Sequence, residues 1–231
     1  MISVAEAVAQ RFSARAFLDK PVSAEQIRSI LDRARRAPSG GNLQPWHVTV
    51  VSGKPLRKLF GKVRRKALLH RRGEKPEYAV YPPSLHEPYR SRRFQCGEDL
   101  YAAIGIPRED KKARFKQFAK NLEAFGAPAV LFFSIDRAMG NNQWAHLGMF
   151  MQTIMLLAVE EGLQTCPQES WSAFHGTVAD FIGLPEEQML YCGMAIGYAD
   201  LDHPINQWRT ERAPLEEIAR SMMDEPGPPP D

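Results

Sequence analysis

Hydrophobic positions recur along this chain with two different spacings. Apolar residues three or four positions apart, bounded by capping residues, glycine or proline, predict helices. These helices are expected near residues 3–12, 23–38, 56–67, 98–104, 107–125, 143–162, 173–182 and 215–223. Short, mostly apolar runs predict strands at 46–51, 129–135 and 189–196. Because strands and helices do not alternate regularly, the pattern favours an α+β fold with a mostly antiparallel central sheet flanked by helices.

Two of the predicted helices begin with a capping box. In this arrangement, a serine and the side chain three residues later satisfy each other's exposed backbone N–H groups. Ser3 pairs with Glu6 in the first helix, and Ser23 pairs with Gln26 in the second.

Three further patterns predict what is buried. The helix over 143–162, capped by one of the two asparagines before it, is apolar around nearly its whole circumference. Such a helix is buried, so we expect it in the middle of a core or at a subunit interface. The strand over 129–135 is apolar on both faces and is expected centrally in the sheet. Phe115 and Phe118 are expected to face inward from the preceding helix.

Residues 73–97 interrupt this regular pattern. The segment contains Pro76, Pro82, Pro83 and Pro88 among four aromatic side chains. That aromatic content is not typical of an unstructured linker. We predict an irregular segment, and two interpretations stay open: a lid that packs over a site, or a plain surface insertion.

The size and composition are typical of a globular protein with one sizeable core, since 231 residues include 44% hydrophobic and 25% charged side chains. One domain is expected over 1–223, with 224–231 as a disordered tail. No apolar run is long enough for a membrane span, and the first residues lack the features of a signal peptide. Cys96, Cys166 and Cys192 are far apart and the six histidines are scattered, so we expect a cytoplasmic protein without a metal site.

The net charge of +3 is distributed unevenly. Residues 54–75 contain ten Lys or Arg residues and one acid, Glu74, and Arg90, Arg92 and Arg93 follow. Such a run is compatible with a surface for nucleic acid or for an anionic ligand. A solvated helix face explains it equally well. Because no nucleic-acid-binding motif accompanies the charges, we expect neither a nucleic acid nor a membrane as partner.

The stretch 37–51, APSGGNLQPWHVTVV, carries the first candidate binding residues. Gly40 and Gly41 allow a sharp turn with positive φ, and Asn42 and Gln44 offer amide donors and acceptors. The proline after Gln44 is expected to hold that residue in extended geometry. A loop of small residues and amides suits a flat polar heterocycle, although a plain helix–loop–strand connector would have the same composition.

A second candidate is the RFSAR sequence at 11–15. In an extended segment Arg11, Ser13 and Arg15 lie on one side, where the planar guanidinium groups could grip a phosphate. The same spacing also occurs on ordinary surfaces. The chain has neither GxGxxG nor GxxxxGK, so neither the dinucleotide-binding fingerprint nor the P-loop applies. No catalytic triad or carboxylate pair stands out.

Taken together, four motifs resemble the FMN-dependent nitroreductase family. They are RFSARAF, RAPSGGNLQPWHVTVVSG, the PQES turn after the long apolar helix, and AIGYAD…N…R…RAPLEE, and they follow the family's order over nearly the whole chain. The sequence departs from the family at Phe12, where many members have a second Arg or a His, and at 73–97, which matches no family pattern.

The resemblance implies an interlocked homodimer that binds FMN between its subunits, with the long helix at the interface. It also implies which residues contact the cofactor. The N-terminal and C-terminal phosphate contacts match Arg11, Phe12, Ser13, Arg15, Arg209 and Arg212. The loop that reaches the flavin across the interface matches Pro38, Ser39, Gly40, Asn42 and Gln44. The turn beside the isoalloxazine matches Pro167, Gln168, Glu169 and Ser170.

The function implied by the resemblance is a two-step hydride transfer. NADH or NADPH would reduce the flavin, and a nitroaromatic or quinone would then take two electrons in the same pocket. The flavin N5 carries the hydride, so no catalytic side chain is expected. The basic, aromatic region 54–97 would select an anionic aromatic such as a nitrobenzoate.

Other functions stay open. The same flavin scaffold would also serve reductive dehalogenation, flavin reduction for a partner, or oxidation with oxygen. A basic nucleic-acid-binding protein is the alternative from another class, supported only by the run at 62–66.

Overall fold

The chain folds around a four-stranded sheet in which neighbouring strands are antiparallel. The structure is a computed structural model and describes residues 2–70 and 73–223. The strands are β1 (His47–Ser52), β2 (Ala129–Asp136), β3 (Gln164–Gln168) and β4 (Gln188–Gly197), in the order β1-β2-β4-β3. The predicted α+β class and antiparallel sheet are therefore confirmed, and β2 is central as expected. β3 follows the long helix and was not predicted as a strand.

Helices and short 3₁₀ segments surround the sheet. The α-helices are α1 (Val4–Gln10), α2 (Ala24–Ala34), α3 (Gly53–Leu69), α4 (Tyr89–Ala103), α5 (Lys111–Ala119), α6 (Asn141–Glu160), α7 (His175–Ile182), α8 (Pro204–Gln207) and α9 (Leu215–Ile218). The 3₁₀ segments are Gly40–Asn42, Lys120–Gly126 and Glu169–Phe174. Both predicted capping boxes are present at the starts of α1 and α2.

The two faces of the sheet bury separate apolar cores, because successive side chains of a strand point to opposite faces. In β2, Leu131, Phe133 and Ile135 pack on one side with α2 and α6. Val130 and Phe132 pack on the other side with α3, α7 and the 3₁₀ segment between β3 and α7. The continuous apolar run of β2 thus reflects burial on both faces.

The long helix α6 differs from the prediction in two respects. It begins at Asn141 and its N-cap is Gly140, so neither asparagine is the cap. Leu147, Phe150 and Ile154 are buried on the side that faces the sheet, whereas Met149 is exposed. A single chain covers one side of this helix only, so the expected place in the middle of a core is wrong, and the alternative of a subunit interface stays a prediction.

The segment 73–97 is more regular and better anchored than predicted. Its second half belongs to α4, which starts at Tyr89. None of the residues of α4 is buried, so the helix has no apolar stripe by which a sequence pattern would reveal it. Its first half is fixed by Glu74, whose carboxylate accepts hydrogen bonds from the Gly176 N–H (2.7 Å) and the Thr177 hydroxyl (2.6 Å). The lid role of this segment stays a prediction.

The prediction for 107–125 was wrong about the facing of its aromatic residues. Phe115 is 70% and Phe118 is 58% exposed, while Gln117 is buried. The helix ends at Ala119, and Ala124 and Phe125 then have φ values of 47° and 55°. The prediction assumed one continuous helix over 107–125. The end of the helix and this left-handed turn break the helical spacing from which the inward facing of the aromatic residues was predicted.

Three further expectations concern the C-terminal tail, membrane-spanning helices and metal ligands. The tail at 224–231 lies outside the described residues. Among 2–70 and 73–223, no helix combines the length and the apolar character needed to cross a bilayer. In the same described ranges, no three His, Cys, Asp or Glu side chains gather as metal ligands would.

Candidate active site

The N-terminal motif lies along the outer edge of β3. The Ala14 N–H donates to the Thr165 carbonyl at 3.0 Å, and Ser13 forms a parallel bridge with the same residue. One residue earlier, the Phe12 N–H donates to Gln164 Oε1 at 3.3 Å. These bonds hold the motif extended, as predicted, and place it beside the strand that leads into the PQES turn.

The C-terminal arm is fixed to the same motif by one amide side chain. Asn206 is only 1% exposed. Its Oδ1 accepts the Arg15 N–H at 2.8 Å, and its Nδ2 donates to the carbonyls of Ala16 (2.8 Å) and Asp200 (2.7 Å). Three of the four sequence motifs are therefore brought together in one chain.

Three arginines from the two ends of the chain meet at this junction. The Arg209 guanidinium carbon lies 3.9 Å from the ring centroid of Phe12, which is buried. Burial lowers the pKa of Arg11, and the positive charges of Arg212 and Arg209 lower it further. In the part of the chain that the structure describes, none of the three forms an ion pair. Such a cluster is complementary to an anion.

The remaining polar groups of these segments bind their own backbone. Arg212 Nη1 donates to the Thr210 carbonyl at 3.0 Å, and Arg209 Nη1 donates to the Trp208 carbonyl at 3.0 Å. Arg15 Nη1 donates to the Ser13 carbonyl at 3.3 Å. Local bonds of this kind hold the guanidinium groups without neutralising them.

The PQES turn uses one of its polar side chains in the core. Gln168 is buried; its Nε2 donates to the Asn121 carbonyl at 2.8 Å and its Oε1 accepts the Trp171 Nε1–H at 3.3 Å. The amide of Gln168 is therefore committed to fixing the turn. Pro167 lies in β3 opposite Met194.

Within the described chain, the side chains of Glu169 and Ser170, the next two residues of the turn, are not fixed by hydrogen bonds as the Gln168 amide is. Burial raises the pKa of Glu169. The Ser170 hydroxyl is buried and has no hydrogen-bond partner among the described residues. A buried hydroxyl without a partner costs free energy, so this atom marks a position where the polar group of a ligand would be stabilised.

The loop at 38–44 has the predicted turn but not the predicted geometry at its end. Gly41 and Asn42 have φ values of 58° and 53°. Gln44 has a φ of 49° and is therefore not extended. The preference imposed by the following proline is overcome because the Gln44 N–H donates to Ser39 Oγ at 3.0 Å and its side chain donates to the Asn42 carbonyl at 3.2 Å.

This loop does not join the other three motifs. Pro38, Gly40, Asn42 and Gln44 are exposed. Across the described residues, no hydrogen bond or ion pair connects the loop to the arginine cluster or to the PQES turn; its one bond to another element joins Gly40 to His146 of α6.

Comparison with known proteins identifies the family. The sequence profile of the Nitroreductase family matches residues 8–198. The chain belongs to that family.

Its relatives cover nearly its whole length. It is 37% identical to nitrobenzene nitroreductase of Ectopseudomonas oleovorans over 91% of this chain and 93% of that protein. It is 38% identical to 4-nitrobenzoate reductase of Pseudomonas putida over 89% of each. The crystal structure of the FMN and NADPH-dependent nitroreductase NfnB from Sphigopyxis sp. strain HMH superimposes with a TM-score of 0.94 at 46% identity, covering 96% of this chain and 100% of that one. The resemblance seen in the four motifs is confirmed.

Three residues of this nitroreductase-family chain complete the site without having been predicted as part of it. Asn206 ties the two ends of the chain together, Gln164 holds Phe12, and His146 contacts the loop. Asn206 belongs to the fourth motif, but its partners, like those of Gln164 and His146, are far away in sequence, so no local pattern would have revealed these contacts.

An aromatic group connects the segment after α3 to the same region. The Tyr78 hydroxyl donates to the Tyr191 carbonyl, and the Tyr78 ring centroid lies 5.4 Å from that of Trp144. Burial raises the pKa of Tyr78, and nearby Cys192 and Glu169 raise it further. The start of the predicted lid therefore lies close to the PQES turn.

The arginines that follow this segment have partners of their own. Arg90 pairs with Glu87, Arg92 pairs with Glu217 at 2.5 Å, and Arg93 lies 4.2 Å from the centroid of the Tyr81 ring. Their role in selecting an anionic substrate stays a prediction.

Proposed function

We propose that this chain is an FMN-dependent oxidoreductase that takes electrons from NADPH or NADH and passes them to nitroaromatic or quinone-like acceptors. The observation that carries the proposal is the junction of three family motifs around an arginine cluster that forms no ion pair with any other described residue. The similarity to an FMN and NADPH-dependent nitroreductase over 96% of the chain supports it.

The residues present fit the phosphate of FMN. A phosphate monoester carries a charge of about −2 near neutral pH, and the guanidinium groups of Arg11, Arg209 and Arg212 supply compensating charge. Arg donates two parallel hydrogen bonds to such a group. Phe12, the residue at which the sequence departs from the family pattern, supports this role because its ring stacks against the Arg209 guanidinium group.

The residues of the turn and the loop fit the polar edge of a flavin ring. Within the described part of the chain the Ser170 hydroxyl has no hydrogen-bond partner, and Ser39, Asn42 and Gln44 lie on an exposed loop that carries amide and hydroxyl groups. Bound FMN would accept a hydride from the nicotinamide and supply two electrons to the acceptor. The chain itself then has to hold and orient the cofactor, which agrees with the lack of an evident acid, base or nucleophile in its sequence.

We also propose that the functional unit is a homodimer. Among the described residues of one chain, no hydrogen bond or ion pair connects the loop to the arginine cluster, and one side of α6 is left exposed. A second copy that covers this side of α6 would bring its own loop to the cluster. The site would then be complete only between subunits.

The experiment that tests this function is the visible absorption spectrum of the purified protein under anaerobic conditions. Flavin bands that bleach on addition of NADPH or NADH, and that recover with a nitroaromatic, are expected. A protein that stays colourless after incubation with FMN would overturn the proposal.

A matched pair of variants tests the arginine cluster. Arg11→Gln should weaken FMN binding about tenfold to hundredfold, because a charge-assisted hydrogen bond is lost, and should leave the binding of riboflavin, which has no phosphate, nearly unchanged. Arg28→Gln on the exposed side of α2 is the control and should alter neither. Equal weakening of both ligands by Arg11→Gln would contradict the phosphate role.

A further inference from the structure

A histidine of α6 holds the loop at 38–44. The Gly40 N–H donates to His146 Nε2 at 3.3 Å, and His146 Nδ1 lies 2.9 Å from Gln143 Oε1. The loop approaches the ring closely, since a Cβ added to Gly40 would lie 3.0 Å from His146 Cε1. The contact joins residues more than a hundred positions apart, and it is the loop's one hydrogen bond to another element among the described residues.

The geometry favours one protonation state of this histidine. A backbone N–H can only donate, so Nε2 must present a lone pair to Gly40. A neutral imidazole carries its single proton on one nitrogen, which here must be Nδ1. Nδ1–H then donates to Gln143, whose amide must turn its oxygen toward the ring. A protonated imidazole would point an N–H at the Gly40 N–H.

We infer that neutral His146, in its Nδ1–H form, is a positioning residue for the loop at 38–44, and that its protonation releases the loop and weakens flavin binding in acid. The inference rests on the proposed function, because it takes the loop as part of the flavin site. Protonation would place an N–H on Nε2, so the Gly40 N–H would lose its acceptor and the loop its hydrogen bond to α6.

Few other ionisable groups lie where a change in their protonation could release the loop. The loop carries no ionisable side chain, and α6 carries only His146 and Glu160, which pairs with Arg33 at the far end of the helix. The other ionisable groups on the elements packed against α6 are Glu6 of α1, Glu25, Arg28 and Asp32 of α2, His47 of β1, Asp136 of β2, Cys166 of β3, and Tyr191 and Cys192 of β4. None of these makes a hydrogen bond or an ion pair with His146 in the described chain.

The first test measures directly which ring nitrogen of His146 carries the proton. ¹⁵N chemical shifts of the His146 imidazole in the purified protein at pH 8, assigned with His146→Gln, distinguish a protonated Nδ1 from a protonated Nε2. A protonated Nδ1 is expected. A protonated Nε2, or a charged ring at pH 8, would overturn the inference whether or not FMN binds.

The second test measures FMN dissociation constants at pH 8 and pH 5.5 for four proteins. His146→Gln keeps an oxygen that accepts from Gly40 but does not titrate, His146→Leu removes the acceptor, and His70→Gln is a control at an exposed position beyond α3. Because a phosphate monoester itself gains a proton near pH 6, the quantity compared is the difference in pH dependence between proteins.

The wild type and His70→Gln should lose about threefold to tenfold more affinity in acid than His146→Gln does, as expected for one hydrogen bond. His146→Leu should bind weakly at both pH values. An identical pH dependence in the wild type and His146→Gln would overturn the inference. Failure of the wild type to bind FMN at pH 8 would instead overturn the proposed function, and the tautomer measurement would still decide the state of His146.

Discussion

At the scale of single residues, the candidate site depends on buried polar groups whose hydrogen bonds cross large sequence distances. Asn206 uses both ends of its amide, accepting from the backbone of Arg15 and donating to the carbonyls of Ala16 and Asp200. Removing a partner from a buried donor or acceptor costs more than an average hydrogen bond contributes. The position of the arginine cluster therefore depends on a residue that does not belong to it.

Replacing Asn206 by aspartate tests this dependence. Asn206→Asp keeps the shape but turns a carboxylate oxygen toward two carbonyl oxygens, so the free energy of unfolding should fall by about 2–4 kcal/mol. Urea unfolding at pH 7 measures it. Gln207→Glu, the same chemical change at the next, exposed position, should have little effect. If both variants unfold at the same urea concentration as the wild type, the amide does not hold the two ends together.

At the scale of elements, helix ends explain how the segment after α3 is anchored. The Glu74 carboxylate accepts from the backbone N–H groups of Gly176 and Thr177 and from the Thr177 hydroxyl, at the first turn of α7. Burial alone would raise the pKa of Glu74, but these hydrogen bonds outweigh it and lower the pKa. A negative charge at a helix N-terminus is also stabilised by the helix dipole.

The contribution of Glu74 should depend on pH. Its pKa is lower in the folded state, so the stabilisation is present above the pKa of an unfolded glutamate, about 4.3, and is lost as the pH falls through the folded value. Glu74→Ala should lower the free energy of unfolding by about 1–2 kcal/mol at pH 7.

Urea unfolding of Glu74→Ala and the wild type at pH 7, pH 4 and pH 3 should show this difference shrinking in acid. Glu186→Ala, which removes an exposed carboxylate, is the control and should change little at any pH. A difference that stays constant from pH 7 to pH 3 would show that the carboxylate charge is not responsible.

At the scale of the whole molecule, apolar side chains that no part of the chain covers require an explanation. Val4 and Val8 of α1 are 76% and 54% exposed, although they share a face of that helix. Met149 of α6, a helix against which α1 packs, is exposed as well. Exposed apolar side chains on two helices that pack together are typical of an interface, which supports the proposed homodimer.

Substitutions on α1 test the dimer. Val4→Glu combined with Val8→Glu should convert a particle of twice the chain mass into one of single mass in light scattering, and should weaken FMN binding because the site is completed between subunits. Leu68→Glu combined with Leu69→Glu changes two leucines that are equally exposed at the end of α3, and should leave both properties unchanged. A wild type of single mass that binds FMN fully would contradict the dimer.

The sequence by itself determined the elements that have a local cause. The capping boxes at Ser3 and Ser23 follow from bonds between residues three positions apart, and the burial of β2 on both faces follows from its apolar residues at successive positions. The order of four motifs likewise identified the family, because each motif consists of residues that lie near one another in the sequence.

Only the tertiary structure decided the features that depend on distant partners. The exposed helix α4 has no apolar stripe, and the left-handed turn at Ala124 and Phe125 breaks a helix that its sequence would continue. Gln44 adopts a positive φ because Ser39 bonds its backbone. The roles of Asn206 and His146 arise from hydrogen bonds to residues more than a hundred positions away. Propensity and periodicity describe neighbours along the chain, whereas these contacts exist only once the chain has folded.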